Sequence, residues 1–247
     1  DHVRAVAGIL AKIGLDEADL TLGPDLSLSK TLREQRIADH VAPRKIYNNC
    51  SGKHSCMLAL CRYFGYDYSA YQQPDHPVQR LLLDTVAAYA GLSPTEILIG
   101  VDGCGVPVYA VPFYAIAASY MRLANPEMIE DEALSEAAAR NWGYIHAHPS
   151  MISSRDTICG VLNSDPAIIG KSGALGIYAL GVKGEKIGVV IKVMDGSHDE
   201  LPLICISILE KLGITGAAMD RMRQLYSPVI YNDNRLIVGE KKVVFSL

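Results

Sequence analysis

The sequence predicts an α+β fold, in which an antiparallel sheet is flanked by helices. Before residue 167, apolar residues recur mainly at helical spacing. After it, the pattern changes to short β-rich runs separated by glycine-containing turns. With 247 residues, of which 49% are hydrophobic and 20% charged, the chain can bury a sizeable core. We expect a single domain over residues 1–247.

Helices are predicted where apolar residues recur every three or four positions and a glycine or proline marks an end. Val3, Val6 and Leu10 follow this spacing. Gly14 then provides a C-terminal cap, which places the first helix before it. The same signals predict helices over 32–38, 53–64, 77–89, 112–123, 127–142, 201–212 and 216–225.

Strands are predicted where β-branched and other apolar residues form short runs bounded by turn residues. These runs cover 97–99, 168–173, 176–181, 186–194, 229–231 and 236–245. Lys183-Gly184-Glu185 is typical of a hairpin turn, so the strands on either side of it should pair antiparallel. The stretch from 144 to 155 is predicted to be irregular.

Charge and hydropathy argue against nucleic acid and membrane as partners. The formal net charge is -4 and the pI is about 6.0, whereas proteins that bind duplexes need clustered lysine and arginine. No apolar run reaches the roughly 18–20 residues that a membrane-spanning helix requires.

Cysteine usage favours a reducing compartment. The chain has six cysteines with neither a Cys-x-x-Cys motif nor a regular spacing. At this chain length a disulfide scaffold is not expected, and free thiols are typical of cytosolic proteins. We therefore expect a cytoplasmic protein.

Reactive side chains are concentrated in the segment Cys50-Ser51-Gly52-Lys53-His54. Cys50 and Lys53 are three residues apart, so a helix that begins here places them on one face. A thiol beside an ammonium group favours either a sulfur of low pKa or a metal ligand. The alternative is a polar capping turn that contains a buried cysteine, and the sequence leaves both interpretations open.

Other candidate residues carry weaker signals. Asp102 is followed by glycine at a predicted strand end, which suits either a ligand site or a tight turn. Lys171-Ser172-Gly173 matches a motif of serine β-lactamases, although a plain turn also explains it. Cys159 is either a second thiolate ligand or a packed apolar residue. His146 and His148 are a possible metal pair, for which a structural role is favoured.

Taken in order, these segments resemble the L-asparaginase II family of the Rhizobium type. The resemblance is carried by Asn-Asn-Cys-Ser-Gly-Lys-His at 48–54, Gly-Val-Asp-Gly-Cys-Gly-Val-Pro at 100–107 and Gly-Lys-Ser-Gly-Ala at 170–174. Val238-Gly239 and the ending Phe245-Ser246-Leu247 are also similar. The resemblance implies a serine β-lactamase/glutaminase-like architecture, a homodimer, and hydrolysis of L-asparagine to L-aspartate and ammonia.

The resemblance also implies a zinc ion near the active centre and assigns roles to individual residues. The expected zinc ligands are Cys50, Lys53 and Cys159. The expected catalytic residues are Lys171, Asp102 and Lys53. Asp102 and Gly173 are expected to contact the substrate.

The chain departs from the family pattern at its start. Family members carry a preceding segment with a Ser-x-x-Lys nucleophile motif, which would lie before Asp1, so we expect this segment to be absent from the chain. Three alternatives to an asparaginase therefore stay open. They are a catalytically silent fragment or pseudoenzyme that binds zinc or an amino acid, another amidase of the same fold, and a cysteine amidase with Cys50 as nucleophile.

Overall fold

The computed structural model describes residues 1–246 and confirms the α+β fold. The chain divides into two compact units, each described below by itself. The first unit comprises Asp1–Ala88 and Leu92–Val111, and the second comprises Tyr89–Gly91 and the chain from Pro112 onward. The expectations of a single domain and of a serine β-lactamase-like architecture stay predictions.

The first unit is mainly helical, as its sequence pattern predicts. Its helices are α1 (His2–Lys12), α2 (Lys30–Ala38), α3 (Ser51–Phe64) and the greater part of α4 (Pro77–Ala90). Two strands, β1 (Leu98–Val101) and β2 (Pro107–Ala110), form an antiparallel ribbon. The sequence pattern predicts a strand near β1 but not its partner β2.

The core of the first unit fixes the start of α3, where the predicted cysteine–lysine segment lies. Helix α1 packs against α3, and Leu10 and Leu58 are buried between neighbouring apolar side chains. Gly65 ends α3 in the left-handed region at φ +71°, a conformation that glycine adopts without a steric cost.

The second unit surrounds a three-stranded sheet with helices. The helices are α5 (Phe113–Ala124), α6 (Glu132–Ala147), α7 (Pro149–Ile152), α8 (Ile158–Leu162), α9 (Leu201–Lys211) and α10 (Ala217–Leu225). The sheet contains β3 (Ile168–Gly173), β4 (Ile177–Val182) and β5 (Ile187–Lys192). A separate antiparallel pair, β6 (Val229–Tyr231) and β7 (Ile237–Glu240), follows α10.

The three-stranded sheet is the predicted antiparallel meander. Its order is β3-β4-β5, so β3 is an edge strand, and Ser172 on β3 lies opposite Tyr178 on β4. Helix α5 lies against β4 and β5 at close range, because Gly181 and Gly188 have no side chains there. A Cβ at either glycine would overlap a backbone carbonyl group of α5.

Several boundaries differ from the sequence predictions. The helix predicted over 127–142 begins at Glu132, where the Asp131 side chain accepts a hydrogen bond from Leu134 N, and continues to Ala147. The stretch 144–155 is therefore not irregular throughout, because the end of α6 and the short helix α7 lie within it. The last strand is also shorter than the predicted 236–245.

No helix within residues 1–246 is both long and apolar enough to cross a membrane. The family-like ending Phe245-Ser246-Leu247 includes Leu247, which lies outside the described residues.

Candidate metal centre and active-site residues

The start of α3 presents Cys50 and Lys53 at one end of the first unit. Cys50 is the N-cap residue, and its backbone N–H donates to Asn48 Oδ1 over 2.9 Å. The amide of Asn48 in turn donates to Gly23 O over 3.0 Å, which ties the loop before α3 to another part of the unit. The helix begins at Ser51, two residues before the predicted position, and this start places the thiol and the amine one turn apart.

The turn between β1 and β2 supplies a second set of polar groups. Asp102 N donates to Val106 O over 2.8 Å, and Gly105 adopts φ +90° to close the turn. Gly103 N donates to Asp102 Oδ1 over 2.8 Å, so this carboxylate oxygen is held within the turn. The turn thereby leaves Asp102 Oδ2 to contact side chains outside its own backbone.

These two segments bring a cluster of metal-ligating groups together. Lys53 Nζ donates to Asp102 Oδ2 over 2.7 Å, and Cys104 Sγ lies 3.5 Å from the same oxygen. The sulfur atoms of Cys50 and Cys104 and one carboxylate oxygen of Asp102 all lie within 4.8 Å of one another. Two thiols and a carboxylate are ligands of the kind that zinc binds in proteins.

The electrostatics of this cluster correct one sequence-based expectation. Burial raises the pKa of the Cys50 thiol to about 11, and the opposing effect of Lys53 is smaller. The Cys50 thiol therefore has a raised pKa rather than a low one. Lys53 lowers the pKa of Asp102. Burial is the largest single effect on Lys53 and lowers its pKa, but the opposing contacts with Asp102, Cys50 and Cys104 leave the pKa of Lys53 raised. The cluster thus contains the Lys53–Asp102 ion pair beside the Cys50 thiol.

Cys104 is the residue that the sequence analysis missed. Its thiol is buried against Asp102. The sequence pattern of Asp102-Gly103-Cys104-Gly105 indicated a ligand site or a tight turn at Asp102 and assigned no role to Cys104. A signal was present, because Cys104 belongs to the same family-like string as Asp102. The sequence motif alone does not show that the turn brings the Cys104 thiol close to Cys50.

Cys159, the third predicted zinc ligand, lies on α8 in the second unit. Its buried thiol accepts a hydrogen bond from Ser172 N at 3.1 Å and donates to Ser172 Oγ at 3.3 Å. The interpretation of Cys159 as a packed apolar residue is therefore incomplete, since the thiol has specific polar contacts. Its assignment as a zinc ligand stays a prediction.

Lys171 and Gly173 lie on β3, as the strand prediction placed them. Lys171 is exposed, and its Nζ donates to Ser172 O over 2.6 Å and to Ser172 Oγ over 3.4 Å. Gly173 is also exposed at the end of the strand. A solvent-accessible amine beside a hydroxyl can bind an anion or transfer a proton.

His146 has the structural role that the sequence favoured. Its Nδ1 lies 2.7 Å from Trp142 O and its Nε2 lies 2.9 Å from Ile168 O. Both ring nitrogens therefore face backbone carbonyl groups within the second unit.

Comparison with known proteins agrees with the order of these motifs. The model of the family described as L-asparaginase II matches residues 1–243. No curated protein matches the chain. Because the family match includes the cysteine–lysine segment, the Asp102 turn and the Lys171 strand, the chain belongs to the L-asparaginase II family.

Proposed function

We propose that the protein hydrolyses L-asparagine to L-aspartate and ammonia, with a zinc ion beside its active centre. The observation that carries this proposal is the convergence of Cys50, Lys53, Asp102 and Cys104 within a chain of the L-asparaginase II family. Family membership supports an amidohydrolase of the asparaginase type. The cluster supports the presence of a metal, and the choice of L-asparagine as substrate follows the family resemblance.

The residues proposed to hold zinc are Cys50, Cys104 and Asp102, with Lys53 as a further ligand. A bound zinc ion would supply a fixed positive charge that orients the active-site groups and the substrate. Thiols and an amine must lose their protons to become ligands, so zinc uptake should release protons. The Lys53 ammonium group supplies positive charge next to the Asp102 carboxylate.

Amide hydrolysis requires a nucleophile, a proton donor and a place for the substrate charges. We propose that a serine oxygen attacks the side-chain amide carbon while a neighbouring lysine accepts the hydroxyl proton, and that Lys171 delivers a proton to the departing ammonia and is reprotonated from that lysine. Water then cleaves the resulting ester, which releases L-aspartate and regenerates the serine. The carboxylate of Asp102 is suited to receive the α-ammonium group of the substrate, and Gly173 is proposed to contact the substrate through its backbone.

Ammonia release from L-asparagine tests this proposal. The assay compares the 247-residue chain with the protein translated from the complete natural reading frame that contains it. Turnover by either protein supports the hydrolase, and turnover by the 247-residue chain places the nucleophile within these residues. If neither protein releases ammonia from L-asparagine, the proposed substrate is wrong.

Substitution of Lys171 provides the matched test of its role. Lys171→Met should reduce kcat by about 100-fold or more, in the range typical of general acid–base groups. Lys12→Met removes another exposed lysine, in the last turn of α1, and should leave kcat unchanged. Equal activity of the two variants would remove Lys171 from the mechanism.

The alternative functions make different predictions. A pseudoenzyme would bind L-aspartate or L-asparagine without turnover, and another amidase would release ammonia from other amides only. A cysteine amidase that uses Cys50 is disfavoured, because burial raises the pKa of this thiol to about 11.

The proposed setting is a homodimer in the cytoplasm. The six cysteines show neither a Cys-x-x-Cys motif nor a regular spacing, and this pattern is the support for a reducing compartment. The dimer is proposed from the family resemblance, and its mass in sedimentation equilibrium should be twice that of the monomer.

A further inference from the structure

The first turn of α3, which carries Cys50 and Lys53, lacks the side-chain cap that commonly begins a helix. Its N-cap residue is Cys50, whose side chain makes no capping hydrogen bond. Serine, threonine, aspartate and asparagine are favoured at this position, because each has a side-chain oxygen that binds a free N–H group of the first turn. Helix ends without such a contact fray. The position of this turn therefore depends on other contacts.

His54 provides such a contact on the buried side of the helix. Its backbone N–H donates to Cys50 O over 3.0 Å and closes the first turn. Its side chain is fully buried, and Nδ1 lies 2.6 Å from the hydroxyl oxygen of Tyr71. The two rings meet edge to face, with their centroids 5.5 Å apart. His54 thus connects the first turn of α3 to the core of the first unit.

Tyr71 joins His54 to the segment that also holds the loop before α3. Tyr71 is fully buried, and its hydroxyl oxygen accepts from Thr21 N over 3.1 Å. Two residues further along that segment, Gly23 O accepts from the side-chain amide of Asn48. One segment therefore anchors the start of α3 twice, through Asn48 in front of the helix and through Tyr71 and His54 beneath it.

The contacts of the Tyr71 hydroxyl indicate which nitrogen of His54 carries the ring proton. Because the hydroxyl oxygen accepts from Thr21 N, its own proton is available to His54 Nδ1. Burial raises the pKa of Tyr71, which keeps this hydroxyl protonated, and burial also favours an uncharged imidazole. A neutral imidazole that accepts at Nδ1 carries its proton on Nε2. Nε2 is buried and has no partner within residues 1–246, so the contact that can orient the ring is the one at Nδ1.

We propose that His54 and Tyr71 are positioning residues of the metal centre. The Tyr71 hydroxyl holds His54 in the tautomer with its proton on Nε2. His54 in turn fixes the first turn of α3, so that Cys50 and Lys53 face the Asp102 turn. The inference rests on the proposed function, because it takes the zinc ligands from that proposal. Residues that orient metal ligands typically change the metal affinity by about 10- to 100-fold when they are replaced.

Two substitutions of His54 that differ in where they place a polar atom test this role. His54→Asn keeps an oxygen close to the place of Nδ1, whereas His54→Gln moves the amide group outward to the place of Nε2. Zinc affinity is measured by competition with a chromophoric chelator, on protein from the complete natural reading frame. His54→Gln should lower the affinity by about tenfold or more, and His54→Asn should stay within about threefold of the natural value. Equal affinities of the two variants would overturn the proposal.

A pair of variants in the core separates positioning from packing. Tyr71→Phe removes only the hydroxyl group and should lower zinc affinity by about tenfold. Cys61→Ala is the matched control, because Cys61 is fully buried in the same core, on α3, and is not part of the metal-ligating cluster found within residues 1–246. This control should lower the Tm but leave zinc affinity within about twofold. Equal losses of zinc affinity in the two variants would show that Tyr71 only supports the core.

Nuclear magnetic resonance tests the tautomer directly. The ring nitrogen signals of His54 can be identified by their loss in His54→Asn. They should show a proton on Nε2 and an accepting Nδ1. A proton on Nδ1 would overturn the proposal, because the Tyr71 hydroxyl would then not be the donor.

A measurement that does not depend on zinc keeps this inference distinct from the proposed function. If the natural protein binds no zinc, the proposed metal centre fails, and amide hydrogen exchange replaces zinc affinity as the readout. Exchange of the His54 backbone N–H should be about tenfold faster in Tyr71→Phe and unchanged in Cys61→Ala, because only the former releases the first turn of α3. Equal exchange rates in Tyr71→Phe and the natural protein would refute the positioning role.

Discussion

Substitution of Cys104 tests whether its thiol is a ligand of the proposed zinc ion. Cys104→Ser should lower zinc affinity by at least about tenfold, because a thiolate ligand is replaced by a weaker hydroxyl donor. Cys56→Ser is the control, since Cys56 is exposed on α3 and is not part of the cluster found within residues 1–246. Competition with a chromophoric chelator measures both affinities. Unchanged zinc affinity in Cys104→Ser would exclude Cys104 from the metal centre.

The negative charge of Glu17 should contribute measurably to the stability of the folded protein. Its carboxylate accepts from Ile46 N over 3.2 Å and pairs with Arg44, and the Arg44 hydrogen bond lowers the pKa of Glu17. Glu17→Gln should therefore reduce the free energy of unfolding by about 1 kcal/mol at neutral pH.

The pH dependence of that difference follows from the sign of the pKa shift. The folded protein holds the Glu17 proton less tightly than the unfolded chain, whose pKa is near 4.5. The stabilisation is therefore complete above this pH and disappears as pH falls through the lower pKa of the folded state. Urea unfolding of both proteins at several pH values checks this. Glu34→Gln, which changes a more exposed acidic residue, should have little effect at any pH.

At the residue scale, the sequence identified Cys50, Lys53 and Asp102 but not Cys104. The first two are close along the chain, so helical spacing alone relates them. Their contact with the Asp102 turn depends on chain packing between residues about fifty positions apart, which no local pattern encodes.

At the element scale, the close contact between α5 and the sheet predicts that a side chain added at Gly181 destabilises the protein. Gly181→Ala places a methyl group where Tyr120 O lies, so it should destabilise the protein by about 2 kcal/mol or more or prevent folding. Gly143→Ala is the matched control, because no atom outside the local helix lies within 4 Å of the new methyl group. This control should raise stability slightly, as expected for glycine replaced by alanine in a helix. Thermal unfolding measures both, and equal midpoints would contradict the close contact.

The elements whose positions the sequence predicted well are those long enough to show a repeat of apolar residues. Helices α1, α3 and α4 and strand β3 lie close to their predicted positions. Helices α7 and α8 contain only 4 and 5 residues, so neither completes enough turns for an apolar repeat to appear. The start of α6 was misplaced because the Asp131 cap, rather than the apolar pattern, sets it.

At the scale of the whole molecule, metal binding should be coupled to stability. A ligand that binds only the folded state stabilises it by about 2.7 kcal/mol when present at 100 times its Kd. For a chain of this size, zinc should therefore raise the Tm by roughly 5–10 °C. A chelator should reverse the increase, and the Cys104→Ser protein should lose most of it. Calorimetry with and without zinc measures the shift, and equal Tm values in the natural protein would argue against a structural metal.

The outer edge of strand β3 also affects how the protein behaves among other molecules. An exposed edge strand offers free N–H and C=O groups to which a strand from another chain can add. From Ile168 to Ser172 these groups already have partners within the molecule, from Asp165, His146, Asn163, Cys159 and Lys171. Because these partners occupy the N–H and C=O groups of the strand, they should protect this edge against aggregation at high protein concentration.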